Sequence, residues 1–256
     1  MERKLKYQAG FNNYHQSEAI ESSLPTKQSS PQKSPLGLYA EQLSGSAFTA
    51  SRQHTKLSWC YRIQPSVMHE PFEKFNHPAW QSPPYNQAIQ TPNQYRWSPQ
   101  EVPTSGNSVN FLMGITTIAG FGDPRSLTGA GANIFFANRA MSSDKVYFSD
   151  HDAELLIVMQ AGSALFTTEF GELIVTADDN NSDIIVIPRG VRFKVDPITE
   201  NIRGYIAENF GAPLELPELG LIGANSLAHP RHFYYPTASF ENSDNQACTW
   251  VCKYQV

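Results

Sequence analysis

Apolar and polar positions alternate most densely between Glu154 and Phe210, and the pattern predicts consecutive β-strands. Glu154–Gln160 (ELLIVMQ), Ser163–Glu169 (SALFTTE), Glu172–Thr176 (ELIVT), Asp183–Ile187 (DIIVI), Val191–Val195 (VRFKV) and Ile202–Asn209 (IRGYIAEN) are apolar or β-branched runs of strand length. Turn formers separate them: Ala161-Gly162, Phe170-Gly171, Asp178-Asp179-Asn180-Asn181, Pro188-Arg189-Gly190 and Asp196-Pro197. Strands recurring every about 8–12 residues with such punctuation imply an all-β sandwich or barrel, not alternating βαβ units. Val191, Phe193 and Val195 point one way and Arg192 and Lys194 the other, the period of a strand with one buried face. Asp183–Ile187 is apolar without alternation, which predicts a strand covered on both faces.

Outside this core the pattern thins. Residues 1–37 are polar and proline-punctuated, with too little apolar surface to offset the entropy of ordering, so they read as an extended arm. Leu38–Thr49 carries weak helical spacing before Ser44-Gly45-Ser46 interrupts it, and Ser58–Val67 reads as a strand ended by Pro65. Residues 69–103 hold seven prolines. Several adjoin aromatic residues, as in Pro71-Phe72 and Pro84-Tyr85, which predicts a long surface excursion anchored by its rings. Phe111–Ala119 and Asn133–Asn138 resume strand character across the glycine-rich Gly120–Gly131. In Leu214–Phe233 two prolines and two glycines preclude a long helix. Thr249–Val256 alternates like a strand and stops without turn or polar tail, so the terminus reads as cut within an element. Residues 38–256 are thus expected to form one sandwich domain behind the arm.

Composition narrows the function classes. Charged residues make up 17% of the chain and the net charge is −5, with no basic run, so nucleic-acid binding is not expected. The longest aliphatic or Met stretch, Leu155–Met159, is too short to cross a bilayer, and the start lacks the apolar segment of a signal peptide. The 3 cysteines (Cys60, Cys248, Cys252) lack CxxC spacing and fit a reduced intracellular protein, with the cytoplasm as the expected location.

Candidate chemistry is sparse. His151, Asp152 and Glu154 offer metal-type donors, but strand geometry turns positions three apart to opposite faces. His229 and His232 flank Pro230, which excludes the helix that would bring them together. Cys248 and Cys252 are too few for a zinc site. Gly120-Phe121-Gly122 and Gly129-Ala130-Gly131 lack both the spacing and the following helix of a nucleotide cradle. No catalytic, cofactor-binding or metal residue is assigned from spacing.

The turn at Pro188-Arg189-Gly190 resembles the second motif of cupin β-sandwiches, Gly-x5-Pro-x-Gly-x2-His-x3-Asn, in its Pro188 and Gly190. Ser182 stands at the motif's Gly, Phe193 at its metal-binding His and Pro197 at its Asn. A cupin-type half that has lost its metal site is implied, with Phe193 filling the interior.

Longer segments resemble the homogentisate 1,2-dioxygenase family: Leu38–Thr49 (LYAEQLSGSAFT), Ser58–Val67 (SWCYRIQPSV), Asn93–Trp97 (NQYRW), Thr167–Gly171 (TTEFG), Ile187–Gly190 (IPRG), Arg203–Ile206 (RGYI) and Glu215–Phe233 (ELPELGLIGANSLAHPRHF). They span the chain from about Lys6 to Tyr254. Departures are Asn12 at a usual Gly, Leu221 at a usual Pro, Ser226 at a usual Gly and His232 at a usual Asp. The resemblance implies a cupin-like jelly roll with a proline-rich arm and long loops. It also implies an Fe(II)-dependent oxidoreductase that opens the homogentisate ring with O2 to maleylacetoacetate in tyrosine and phenylalanine catabolism, assembled as a hexamer.

The family's two His, one Glu and catalytic His do not occur before Val256. The chain therefore resembles the N-terminal domain, expected to bind no iron alone and to be inactive by itself. The alternative is a degenerate cupin acting as a non-catalytic binding or oligomerisation module. A cupin isomerase or sugar-binding protein is disfavoured by Phe193 and by the missing His-x-His.

Overall fold

The structure, a computed structural model, describes residues 15–25, 32–51, 54–85, 91–94, 96, 98–100, 107–215, 233–241 and 247–255. The chain divides into two compact units, Met1–Glu70 with Pro236–Asn242, and Pro71–Tyr235 with Ser243–Val256.

In the first unit, β1 (Tyr39–Ser44) and β2 (Leu57–Arg62) form an antiparallel hairpin in register from Tyr39↔Arg62 to Ser44↔Leu57. The helical spacing of Leu38–Thr49 is thus overridden by strand pairing. Six residues make under two helical turns, which gain little alone, whereas the hairpin satisfies backbone groups along the whole segment. Glu41 fixes the pair, meeting Arg62 Nε at 2.8 Å and accepting the Ser66 N–H at 2.7 Å.

The second unit is almost entirely β. Its elements are β3 (Ile115–Asp123), β4 (Thr128–Ala137), a single-turn α1 (Met141–Asp144), β5 (Val146–Asp150), β6 (Glu154–Thr168), β7 (Gly171–Ala177), β8 (Ile184–Ile187), β9 (Phe193–Pro197), β10 (Ile202–Asn209) and β11 (Thr249–Lys253). The order is β11-β5-β9-β6-β10-β4-β3, with β7 and β8 also paired to β6. The β11–β5 pair is parallel and the others antiparallel.

Strand β6 is the hub. Its first half pairs with β10 and β8, its second with β7 and β9. Ala161-Gly162, which reads as a turn in the sequence, lies inside this one strand. Pairing with β10 shifts register between Arg203 and Gly204, the mark of a bulge. Gly162 has φ 85°, and a Cβ there would lie 2.3 Å from the Asn201 carbonyl. Residues that reverse a chain also bend a strand, and here they aim β6 from one set of partners to the other.

Three further expectations are corrected. Val191–Val195 begins its strand only at Phe193, and Lys194 is buried, its ammonium 5.3 Å from the Tyr147 ring centre. Asp183–Ile187 is not covered on both faces: Ile185 and Ile187 are buried, while Ile184 is 61% and Val186 41% exposed. The glycine-rich Gly120–Gly131 does not interrupt the strands but belongs to the β3–β4 hairpin.

Between the strands lies an aromatic core. Phe111, Phe148, Phe166 and Phe193 are fully buried. Ring centres of Phe148 and Phe193 are 5.6 Å apart, those of Phe111 and Phe193 6.2 Å, and those of Phe166 and Phe193 6.4 Å. Each such ring contributes about 1.5–3 kcal/mol by leaving water, and the edge-on contacts add about 0.5–1.5 kcal/mol per pair.

Candidate functional site

Along β10 the residues Ile202, Gly204, Ile206 and Glu208 are buried while Arg203, Tyr205 and Ala207 are exposed. Strand parity therefore carries a carboxylate into the interior at the end of an apolar row. Glu208 Oε2 accepts from Trp80 Nε1 (3.0 Å) and Asn133 Nδ2 (2.9 Å), and Oε1 is paired with the Lys253 ammonium at the end of β11. Lys253 also lies 3.9 Å from Asp150 Oδ2 and 4.6 Å from the centre of the Trp80 ring.

Asp150 and Asp152 are buried beside the pair. Asp150 Oδ1 accepts the backbone N–H groups of Asp152 (2.8 Å) and Ala153 (2.9 Å), and Asp152 Oδ1 accepts that of Gln255 (2.9 Å). Two carboxylates thus meet one ammonium, with a third buried nearby. Burial, with the charges of Glu208 and Asp152, raises the Asp150 carboxyl well above its ordinary range despite the pull of Lys253. Burial alone would lower Lys253, but Asp150 and Glu208 outweigh it and hold the ammonium above its ordinary value.

The cluster is covered by the segment leading to Tyr85. His77, Trp80 and the Thr117 hydroxyl of β3 hold that segment in place through hydrogen bonds of 2.7–3.1 Å. The Gln255 side-chain amide donates to the Pro83 carbonyl. The Tyr85 ring lies on the β3–β4 hairpin, where a Cβ on Gly120 would come within 2.2 Å of it. Burial, Glu208 and Asp150 push the Tyr85 phenol far above its ordinary value. This explains the glycines that outwardly resemble a nucleotide cradle. Gly120 and Gly131 make room for Tyr85, while Gly122 and Gly129, opposite one another at φ 91° and 99°, bring two backbones together.

The residues singled out in the sequence do not converge. His151 Nε2 bonds Ser149 Oγ at 3.1 Å, Asp152 turns to Gln255, and Glu154 Oε2 accepts the Leu214 N–H at 2.5 Å. Cys60 is buried, Cys252 half-buried and Cys248 exposed, and none of the three forms a disulfide. His229, His232, Asn12, Leu221 and Ser226 lie outside the described residues.

The iron that the sequence resemblance implies would need donors that the three cupin-motif positions do not supply. At the cupin positions Phe193 is packed among rings, Ser182 Oγ donates to the Met159 carbonyl at 2.7 Å, and Pro197 has no ligating side chain. Among the described residues no group of three or more His, Cys, Asp or Glu side chains is placed to hold a metal ion. Strand parity could have revealed Glu208, the one charged residue of an inward row. Its meeting with Lys253, 45 residues on, could not be read from the chain.

Among solved structures, a cupin-2 domain protein from Shewanella frigidimarina is similar to this chain at 16% identity, covering 31% of this chain and 70% of its own, with a TM-score of 0.26. A conserved protein of unknown function from Streptococcus pyogenes is similar at 14% identity, over 40% and 75%, with a TM-score of 0.28. Among the described residues no helix is long and apolar enough to cross a membrane. The family model described as homogentisate 1,2-dioxygenase N-terminal matches residues 6–256, and the chain belongs to that family.

Proposed function

We propose that this chain serves Fe(II)-dependent, O2-consuming cleavage of the homogentisate ring as a scaffold, contributing no metal ligand and no reacting group of its own. The observation that carries this reading is Phe193. At the position where a cupin places a metal-binding His stands a fully buried ring in contact with Phe111, Phe148 and Phe166. At the other end of the interior Glu208 is engaged by Trp80, Asn133 and Lys253, which leaves its carboxylate committed within the fold. In this reading the chain folds as a platform and associates with further copies of itself in a homo-oligomer of the cytoplasm.

Oxygen-electrode traces with homogentisate and added Fe(II) test the proposal. The isolated chain is expected to match the no-protein control. Chelator-sensitive O2 uptake proportional to protein concentration would overturn it.

Exposed apolar side chains favour a second reading, an assembly module with no part in dioxygenation. Ile184 and Val186 on β8 and Tyr205 on β10 are exposed on the two strands that flank the first half of β6, and Ile174 is 66% exposed on β7. Exposed apolar side chains of this kind favour association. Light scattering that shows self-association, together with failure of the chain to restore ring cleavage to a dioxygenase lacking this domain, would favour this reading over the first.

A further inference from the structure

His77 occupies an unusual place for a titratable ring. Its Nδ1 lies 3.1 Å from the Ala79 amide nitrogen and 2.7 Å from that of Trp80, and its Nε2 lies 2.7 Å from the Leu112 carbonyl oxygen. A backbone N–H can only donate and a carbonyl can only accept, so the partners fix the ring's state. Nδ1 must carry the lone pair and Nε2 the proton. The neutral imidazole thus acts as a staple. It pins residues 79–80 against the turn before β3, while the Ala79 carbonyl accepts the Thr117 N–H at 3.1 Å.

We propose that His77 is a pH-sensitive latch: a second proton, taken at Nδ1, removes the acceptor that two amides share and frees the segment that covers the Lys253–Glu208 pair. The imidazolium has N–H groups at both nitrogens, so the Ala79 and Trp80 amides would then face a donor. The groups around the ring act together against that proton. Burial disfavours the charged ring, and the Lys253 ammonium on β11 repels it, whereas the Leu112 carbonyl favours it. Lys253 is itself paired with Glu208 on β10 and lies near Asp150 on β5, which softens the repulsion without reversing it. The net effect holds His77 below its ordinary value, so the latch stays closed at neutral pH and opens on acidification below 6.5.

Opening has a defined consequence. Trp80 Nε1 is bonded to Glu208 Oε2, and the Trp80 ring lies under Lys253 and 5.1 Å from Phe148. Freeing residues 79–80 therefore loosens the cover over the buried charges and admits water to them. Asp150 titrates in the opposite sense, since its raised carboxyl favours the folded state at low pH. A local loss of protection on acidification is accordingly not a signature of Asp150, and the His77→Asn variant assigns it to His77.

Two measurements on the full chain test the latch. The first is amide hydrogen exchange at Ala79 and Trp80, corrected for intrinsic rates and referenced to Ile206, between about pH 7.5 and 4.5. The native protein is expected to show a rise of about tenfold or more at the two sites through a single-proton transition below 6.5. His77→Asn, whose amide oxygen can replace Nδ1 as acceptor but cannot be protonated, is expected to stay flat. No rise in the native protein, or an equal rise in the variant, would overturn the proposal. The second needs no variant: ring nitrogen shifts should report the Nε2–H tautomer at neutral pH and protonation at Nδ1. A neutral ring with its proton on Nδ1 would overturn the proposal equally.

Discussion

Replacing Lys253 with Met keeps most of the apolar stem and removes the ammonium in contact with Glu208. The carboxylate is then left fully buried, with Trp80 Nε1 and Asn133 Nδ2 as its remaining donors. Removing one partner of a buried ion pair costs about 3–5 kcal/mol. The two surviving hydrogen bonds to charge draw the value toward the lower end. Loss of the ammonium over the Trp80 ring, a contact of about 0.5–2 kcal/mol, draws it back up. A domain is stable by about 5–15 kcal/mol, so a loss of about 4 kcal/mol is a large share. In urea unfolding followed by far-UV circular dichroism at neutral pH, with a slope of about 2 kcal/mol/M, the midpoint should fall by about 2 M. Lys253→Met with Glu208→Gln should recover most of that loss, because the amide oxygen still accepts a hydrogen bond and no charge is stranded. A loss below about 1 kcal/mol for the single variant, or a double variant as unstable as the sum of the two, would refute the reasoning.

Asp150 and Phe193 give two further predictions. Because the folded Asp150 carboxyl is raised, its contribution to stability is complete below its unfolded value of 3.8 and is lost as pH rises through the folded value. Asp150→Asn, an isostere of the protonated acid, should therefore gain on the native protein as pH rises over that window; equal pH slopes for both in parallel urea titrations would sink the assignment. Phe193→Ala should cost about 3–5 kcal/mol by opening a cavity among three other buried rings. A loss under about 1.5 kcal/mol in the same assay would mean that the interior is not packed around it.

The strands between Glu154 and Asn209 were legible because one-faced burial leaves a period of two, and turn residues mark most of its interruptions. Ala161-Gly162 was misread because a bulge and a reversal use the same residues; only pairing with two sets of partners separates them. The exposure of Ile184 and Val186 was not legible either. An apolar run shows that a surface can be covered, not that a neighbour covers it. Tyr39–Ser44 was written too briefly for periodicity to decide, and its partner across the hairpin settled it. At the polar end of the interior, each of Trp80, Asn133, Asp150 and Lys253 reads as ordinary in its own segment, and Glu208 stands out only by strand parity. Their meeting depends on five separate elements and on the cover that His77 holds.

Iron stoichiometry tests the central claim most directly. The chain is loaded anaerobically with excess Fe(II), desalted, and analysed for metal per folded chain. With Phe193, Ser182 and Pro197 at the cupin positions and the buried Glu208 engaged by Lys253, Trp80 and Asn133, the account predicts iron at the level of a metal-free control. One iron retained per chain, lost on unfolding and not on buffer exchange, would contradict it.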